Sequence, residues 1–329
     1  MFKKIERLVK TSKNFVLTTH LNPDGDGLGS EVAMYTFLKM MKKRPRIINT
    51  SPVPKQYQFL NSKNEIETYD PAKHDPVIKK ADVIMVLDIS VSKRLERMQE
   101  AVMQSPAKRI CIDHHLDNDG LGHLNCVDEK APATAELIYN FIKHFKGKPN
   151  LKIAQALYTA LITDTGNFRF NATRPATHLI AAELIKLGIK PNDIYAEVFE
   201  QGNSGVMKLL GRTLDHMRPE CNGGINWTYL TSKDFTETGT QRSDTEGFVD
   251  YTLKIEKSVF GLLFYETPEG FTKVSLRSKS NVDVQSFAKQ FGGGGHKNAS
   301  GITLKTPFEP TMNDIVSKVK KYFTDHYVK

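Results

Sequence analysis

An α/β fold built on a parallel sheet, followed by a second and smaller α/β domain, is predicted by three features of the sequence. Strand-like runs alternate with segments of helical periodicity through the first half of the chain. One run, Val83-Ile84-Met85-Val86-Leu87, is apolar at every position, as expected for a parallel strand covered on both faces. Three such runs end in Asp or His residues. Open α/β sheets bind ligands outside the carboxyl ends of their strands, so the third feature points to one shared site at one sheet edge.

The first strand is Phe15-Val16-Leu17-Thr18-Thr19, and it leads into His20-Leu21-Asn22-Pro23-Asp24-Gly25-Asp26-Gly27-Leu28-Gly29-Ser30. The spacing of Val32, Tyr35, Leu38 and Met41 predicts a helix from Glu31 to Met41, which makes the intervening stretch a loop. That loop gathers one imidazole and two carboxylates around turn-forming Pro and Gly. Asp24 and Asp26, two apart in an extended turn, diverge, which suits two adjacent metal ions better than one. Arg46-Ile47-Ile48 reads as a second strand, and the Pro-rich stretch from Pro52 to Pro76 as irregular chain with a short helix near Tyr57–Leu60. Val83–Leu87 ends in Asp88. A helix carrying Leu95, Met98 and Val102 follows, and then the strand Arg109-Ile110-Cys111-Ile112 ends in Asp113-His114-His115.

Pro132 to Phe145 reads as a helix with Ala135, Leu137, Ile138, Phe141 and Ile142 as its apolar positions. Leu151 to Ile162 reads as a buried helix capped by Asn150 that runs into Thr163-Asp164-Thr165-Gly166. An acidic residue at the end of a buried helix needs a partner, because an unpaired buried carboxylate is costly; a metal ion is a good one. Thr173 and Pro175 open a helix that closes at Gly188. The domains expected are a catalytic one over 1–190, a helical linker over 191–219, and a smaller one over 220–329. The last holds strands at Ser258–Glu266 and Phe271–Arg277, a helix opened by a Ser243-Asp244-Thr245-Glu246 capping box, and a terminal helix from about Thr311.

Composition bounds the class. The 329 residues are 39% hydrophobic and 25% charged, which implies a soluble globular chain of about two domains. The longest apolar run is too short to span a membrane, and the charged start, Met1-Phe2-Lys3-Lys4, is unlike a signal peptide. Three cysteines without Cys-x-x-Cys spacing fit free thiols, so a cytoplasmic location is expected. The net charge of +9 is uneven: residues 1–218 carry 32 Lys/Arg against 24 Asp/Glu, and residues 219–329 carry 14 against 13. An anionic substrate is the simplest reading.

Gly292-Gly293-Gly294-Gly295-His296 follows a short helix, Asp283 to Phe291. Such a run tolerates positive φ and close backbone approach, so it can curl N–H groups around a phosphate. Arg277, His296 and Ser300 would add side-chain donors. No Gly-Lys-Ser/Thr follows, so this is not a Walker loop.

Taken together, His20-x3-Asp24-x-Asp26, Asp88, Asp113-His114-His115 and Asp164, in that order, resemble the four motifs of the DHH phosphoesterase superfamily. Gly292 to Gly295 with His296-x2-Ala299-Ser300-Gly301, and Arg277 upstream, resembles the DHH-associated C-terminal domain. Within the superfamily the sequence is most similar to the nanoRNase/pAp phosphatase group, which degrades very short RNA and dephosphorylates 3′-phosphoadenosine 5′-phosphate (pAp). Asp113 to Asn118 and Ala133-Thr134-Ala135-Glu136 carry that likeness, and the extra domains of RecJ-type exonucleases are not expected. Gly27 departs from the alanine usual in the group, a change a turn should tolerate.

The resemblance implies roles. His20 and Asp24 would hold one divalent ion, usually Mn²⁺ with Mg²⁺ as the alternative; Asp26, His114 and Asp164 would hold a second; Asp88 would bridge them. His115 would contact the scissile phosphate, with Asp113 orienting the neighbouring imidazoles. Arg277, Gly293, Gly294, Gly295, His296, Ser300 and His115 would bind substrate, in a cleft between the domains. Carboxylate and imidazole ligands without thiolates suit Mn²⁺ or Mg²⁺ better than structural Zn²⁺. Two ions about 3.5–4 Å apart can activate a water for in-line attack on a phosphate, so no covalent nucleophile is required.

The implied partners are short RNA or DNA oligonucleotides or nucleotide bisphosphates, with no membrane, and the resemblance suggests a homodimer. The same catalytic domain would also serve linear or cyclic dinucleotides, polyphosphate, or longer single strands. The sequence offers no obvious aromatic-interleaved basic groove for a long strand. A non-enzymatic nucleotide-binding protein is the remaining reading, and the presence of every expected ligand argues against it.

Overall fold

The computed structural model of the chain describes residues 2–115 and 119–327, and of His296 only the backbone. Leu116, Asp117 and Asn118, which carry part of the family likeness, lie outside the described residues. The chain divides into two compact units, Met1–Gln201 and Gly202–Lys329.

The first unit contains, in chain order, α1 (Lys3–Thr11), β1 (Asn14–Thr18), α2 (Gly25–Met40), β2 (Arg44–Asn49), β3 (Ile66–Thr68), α3 (Pro71–Lys79), β4 (Val83–Leu87), α4 (Gln99–Gln104), β5 (Lys108–Asp113), β6 (Leu124–Val127), α5 (Thr134–His144), α6 (Leu151–Asp164), α7 (Pro175–Lys186) and α8 (Pro191–Phe199). Its six strands form one parallel sheet in the order β3-β2-β1-β4-β5-β6. Both faces are covered. Phe15, Leu17, Met85 and Ile112 pack under α1, α2, α5 and α6, while Val16, Ile48, Ile84 and Val86 pack against α3 and α4. That burial explains why Val83–Leu87 is apolar throughout. The strand order reverses between β1 and β4, and a crevice opens at such a point outside the carboxyl ends.

Several elements differ from their sequence expectation. The helix expected from Glu31 begins six residues earlier, at Gly25. Asp24 caps it, its carboxylate accepting the N–H groups of Asp26 (2.9 Å) and Gly27 (3.1 Å). The glycines that argue against helix here are required by packing. A Cβ on Gly25 would stand 2.6 Å from the Thr163 side chain, and one on Gly29 2.3 Å from the Ala156 carbonyl. The helix expected around Leu95–Val102 is broken: 3₁₀ turns over Ser92–Met98 contain Glu96 at φ +48°, and α4 follows. The 191–219 segment is not a separate body. Ile194 and Val198 of α8 join the core of the first unit, and Leu209 joins a core of the second.

The second unit contains α9 (Ser204–Asp215), β7 (Arg218–Glu220), β8 (Ile225–Leu230), α10 (Ser232–Thr238), β9 (Phe260–Glu266), β10 (Phe271–Ser278), α11 (Val284–Lys289), β11 (Gly294–His296), β12 (Ala299–Pro307) and α12 (Phe308–Tyr327). Its mixed sheet has the order β11-β12-β10-β9-β8-β7, with only the β8–β9 pair parallel. One face packs Phe260, Leu262, Phe264 and Leu276 against α11 and α12. The capping-box signal at Ser243 opens no α-helix. Short 3₁₀ pieces, Arg242–Thr245 and Phe248–Lys254, stand there instead, separated by Gly247 at φ +77°. Among the described residues no helix is long and apolar enough to cross a membrane.

Candidate metal centre

Four segments at the carboxyl edge of the parallel sheet, together with the end of α6, bring one set of side chains together. His20 follows β1, Asp24 and Asp26 begin α2, Asp88 follows β4, Asp113 closes β5 ahead of His114 and His115, and Asp164 ends α6. The ligand atoms of His20, Asp24 and Asp88 lie within 4.8 Å of one another, and so do those of Asp26, His114 and Asp164. The ring Nε2 of His20 is 3.8 Å from Asp24 Oδ1 and 3.5 Å from Asp88 Oδ2. The Nε2 of His114 is 3.9 Å from Asp26 Oδ2, 3.5 Å from Asp88 Oδ1 and 3.3 Å from Asp164 Oδ2. Among the described residues, Asp88 is thus the one carboxylate within 4 Å of an imidazole of each group.

The local backbone explains the aim of these groups. Asp88 stands at φ +62°, the left-handed region, which costs a non-glycine residue on the order of 1–2 kcal/mol. This turn ends the strand abruptly at a residue only 2% exposed. Asp24 and Asp26 are the cap and second residue of a helix rather than residues of a loop: the Asp24 side chain is half exposed and that of Asp26 is buried. Asp26 is fixed from the opposite side by the start of α5, where the N–H groups of Thr134 (2.6 Å) and Ala135 (2.9 Å) donate to its two oxygens. The Thr134 hydroxyl donates to Asp88 Oδ1 at 3.0 Å. Sequence reasoning missed Thr134 and Ala135. Their signal was a threonine in the first turn of a helix, where orphan amides await a carboxylate.

The imidazoles are oriented by their other nitrogens. His20 Nδ1 lies 2.9 Å from the Leu21 carbonyl and His114 Nδ1 3.1 Å from the Ala131 carbonyl. A carbonyl only accepts, so each Nδ1 carries a proton, and each Nε2 is the nitrogen turned to the carboxylates, donating to them when the ring is protonated and free for a metal ion when it is neutral. His115 Nδ1 lies 2.7 Å from Asp113 Oδ1. Asp113 is fully buried and is held by the Ser90 hydroxyl and the His114 N–H. It therefore orients His115, whose side chain remains 39% exposed.

Charge accumulates here without a counter-charge. Among the described residues no Lys or Arg forms an ion pair with Asp24, Asp26, Asp88, Asp113 or Asp164. Burial, then the neighbouring carboxylates, raise Asp26 and Asp88 well above the ordinary carboxylate range. Burial and the Asp24 charge lift Asp164 to about 7. Burial alone would raise Asp24 too, yet His20 and the helix amides hold it down at about 2. Burial lowers His114. Converging carboxylates that resist ionisation and two imidazoles offering bare nitrogens fit divalent cations bound by oxygen and nitrogen.

The second unit places its expected residues differently from a free loop. Gly294–His296 is the edge strand β11, paired with β12 through Gly294–Gly301, Gly295–Ser300 and His296–Ala299. Only the first part of the glycine run is a turn, with Gly292 at φ +71°. The reason is close packing: a Cβ on Gly293 would stand 2.3 Å from the Gly301 carbonyl, and one on Gly295 2.4 Å from the Ala299 carbonyl. Ser300 is buried, and Arg277, on β10 opposite Ala299, pairs with Asp250 at 3.5 Å. The side chain of His296 lies outside the described residues.

Comparison with known proteins agrees with this architecture. Residues 14–163 match the model of the DHH family, N-terminal domain, and residues 225–325 match the DHHA1 domain. The chain is 31% identical over 293 residues to the bifunctional oligoribonuclease and PAP phosphatase NrnA of Thermus thermophilus, covering 88% of this chain and 83% of that one. It is 27% identical to the protein of the same name from Bacillus subtilis, covering 92% of this chain and 93% of that one. An exopolyphosphatase-related protein from Bacteroides fragilis superposes with a TM-score of 0.93 at 28% identity, over 98% of this chain and 96% of that one.

Proposed function

The chain belongs to the DHH family of phosphoesterases, and from that premise we propose that it hydrolyses short RNA oligonucleotides to mononucleotides and pAp to AMP. The observation that carries the reading is that the two oxygens of Asp88 face one imidazole of each group of ligand atoms, Oδ2 toward His20 of the His20–Asp24 group and Oδ1 toward His114 of the Asp26–His114–Asp164 group. In the proposal these six residues hold two divalent ions, most simply Mn²⁺. Such ions, when bound, supply a water activated at neutral pH and positive charge against the phosphoryl oxygens.

The chain's own residues do the rest. Asp113 keeps the proton of His115 on Nδ1, so that Nε2 is the atom His115 presents to a substrate phosphate. The amides of Thr134 and Ala135 hold Asp26 in place. In the second unit, the residues proposed to bind nucleotide are Arg277, Ser300, His296 and the Gly293–Gly295 backbone. The Bacteroides fragilis relative, named exopolyphosphatase-related, makes polyphosphate the substrate to compare.

The test is release of AMP from pAp, and of mononucleotides from RNA of two to five residues, by the purified protein with Mn²⁺. Turnover that disappears with a chelator and in Asp88→Ala supports the reading. Failure on all these substrates with Mn²⁺ present, or turnover of polyphosphate alone, overturns it.

A further inference from the structure

The loop after Asp164 carries an exposed aromatic–cation pair. Thr165, Gly166, Asn167, Phe168, Arg169 and Phe170 link α6 to the turn before α7. Gly166, Asn167 and Phe168 stand in succession at φ +56°, +58° and +65°. This left-handed turn is held firmly. Thr165 Oγ1 accepts the Phe168 N–H at 2.8 Å, and the Thr165 carbonyl accepts those of Arg169 (3.0 Å) and Phe170 (2.9 Å). Phe168 turns inward, stacking on His178 with ring centroids 5.0 Å apart and packing beside Tyr158. Phe170 turns outward. Its ring lies against Gly166, where a Cβ would stand 2.6 Å from ring carbon Cζ, and it remains 47% exposed. The Arg169 guanidinium lies 5.2 Å from the Phe170 centroid, and among the described residues no Asp or Glu forms an ion pair with it.

A large apolar ring left in water beside an unpaired guanidinium contributes little to folding. It is what single-strand binding sites use, because every base has a π-face and every phosphate a negative charge. Its place in the chain adds to this: the Phe170 N–H donates to the carbonyl of Thr165, the residue that follows Asp164, so the backbone that carries the pair lies one turn of chain beyond a residue of the candidate metal centre. A nucleobase stands one sugar away from its phosphate.

We infer that Phe170 and Arg169 form a base-stacking subsite, the nucleobase next to the scissile phosphate stacking on the Phe170 ring while Arg169 pairs with a neighbouring phosphate oxygen. The inference rests on the phosphoesterase reading above and deepens it, since a base-stacking subsite selects nucleotides over polyphosphate without selecting a sequence.

The experiment compares pAp with ribose 3′,5′-bisphosphate, which has the same phosphates and no base. The native protein should prefer pAp. In Phe170→Ala the ratio of the two kcat/KM values should fall about 5- to 150-fold, mainly through KM, the range that loss of one stacked base gives. Phe170→Trp should keep the preference. An unchanged ratio, including equal losses on both substrates, overturns the subsite. A second readout does not depend on turnover. Trp227 is the only native tryptophan, so Phe170→Trp adds one reporter. AMP should quench the added fluorescence with a chelator present, and ribose 5-phosphate should not. Equal quenching by both, or none by AMP, overturns the subsite. A native protein that turns over neither bisphosphate counts against the proposed function, and the quenching then decides the subsite alone.

Discussion

Asp113 and Asp164 show how differently two carboxylates of one site behave. Asp113 is buried, yet His115, Ser90 and the backbone bond its charged form and hold it below the ordinary range. Replacing it by Asn keeps the shape but lets His115 take the other tautomer. Asp113→Asn should therefore lower kcat on pAp about 10- to 100-fold without lowering metal binding much, measured by Mn²⁺ titration beside the kinetics. Asp164, raised to about 7 by burial and the Asp24 charge, does the reverse. The unfolded chain releases this proton near the ordinary carboxylate value, and the folded metal-free protein keeps it longer. The stability that comes with the proton is complete below the unfolded value and is lost as pH rises through about 7. Metal-free Asp164→Asn should therefore melt a few degrees above the native protein at pH 8 and not at pH 4. Added Mn²⁺ should raise the native melting temperature more at pH 8 than at pH 5. Equal shifts at both values would contradict the account of uncompensated charge.

At the scale of elements, the close crossing of α2 over α6 sets the geometry of the centre, because Asp24 and Asp26 open one helix and Asp164 ends the other. Gly29 makes the approach: its Cα faces the Ala156 carbonyl and the Ala160 methyl. Gly29→Ala should destabilise the protein by about 1–3 kcal/mol in chemical denaturation, as overpacking does, and should weaken Mn²⁺ binding with it. Unchanged stability would show that the crossing has slack. The same glycines explain what the sequence hid. β4, β5, α5 and α6 were legible from their apolar patterns, and His20, Asp24, Asp26, Asp88, Asp113, His114, His115 and Asp164 stood out because each closes or opens an element. The first turn of α2 was not legible, since three glycines in five residues oppose helix locally and only tertiary packing requires them. The three-residue β3 is too short for a period, and the prolines at 71 and 76 obscure α3. The glycine run read as a loop because nothing in its own sequence reveals the pairing of β11 with β12.

At the scale of the whole molecule, the first unit carries the cluster of ligand residues together with most of the positive charge, and the second offers an edge strand, β11, with Arg277 two strands away on β10. The central claim is that this assembly is a hydrolase for short nucleotides. The most direct measurement is a product time course with Mn²⁺ on three substrates side by side: a labelled RNA dinucleotide, an RNA of two dozen residues, and pAp. The account predicts fast turnover of the dinucleotide and of pAp while the long RNA stays mostly intact. Preferential degradation of the long RNA would contradict it and would make the protein an exonuclease of long strands.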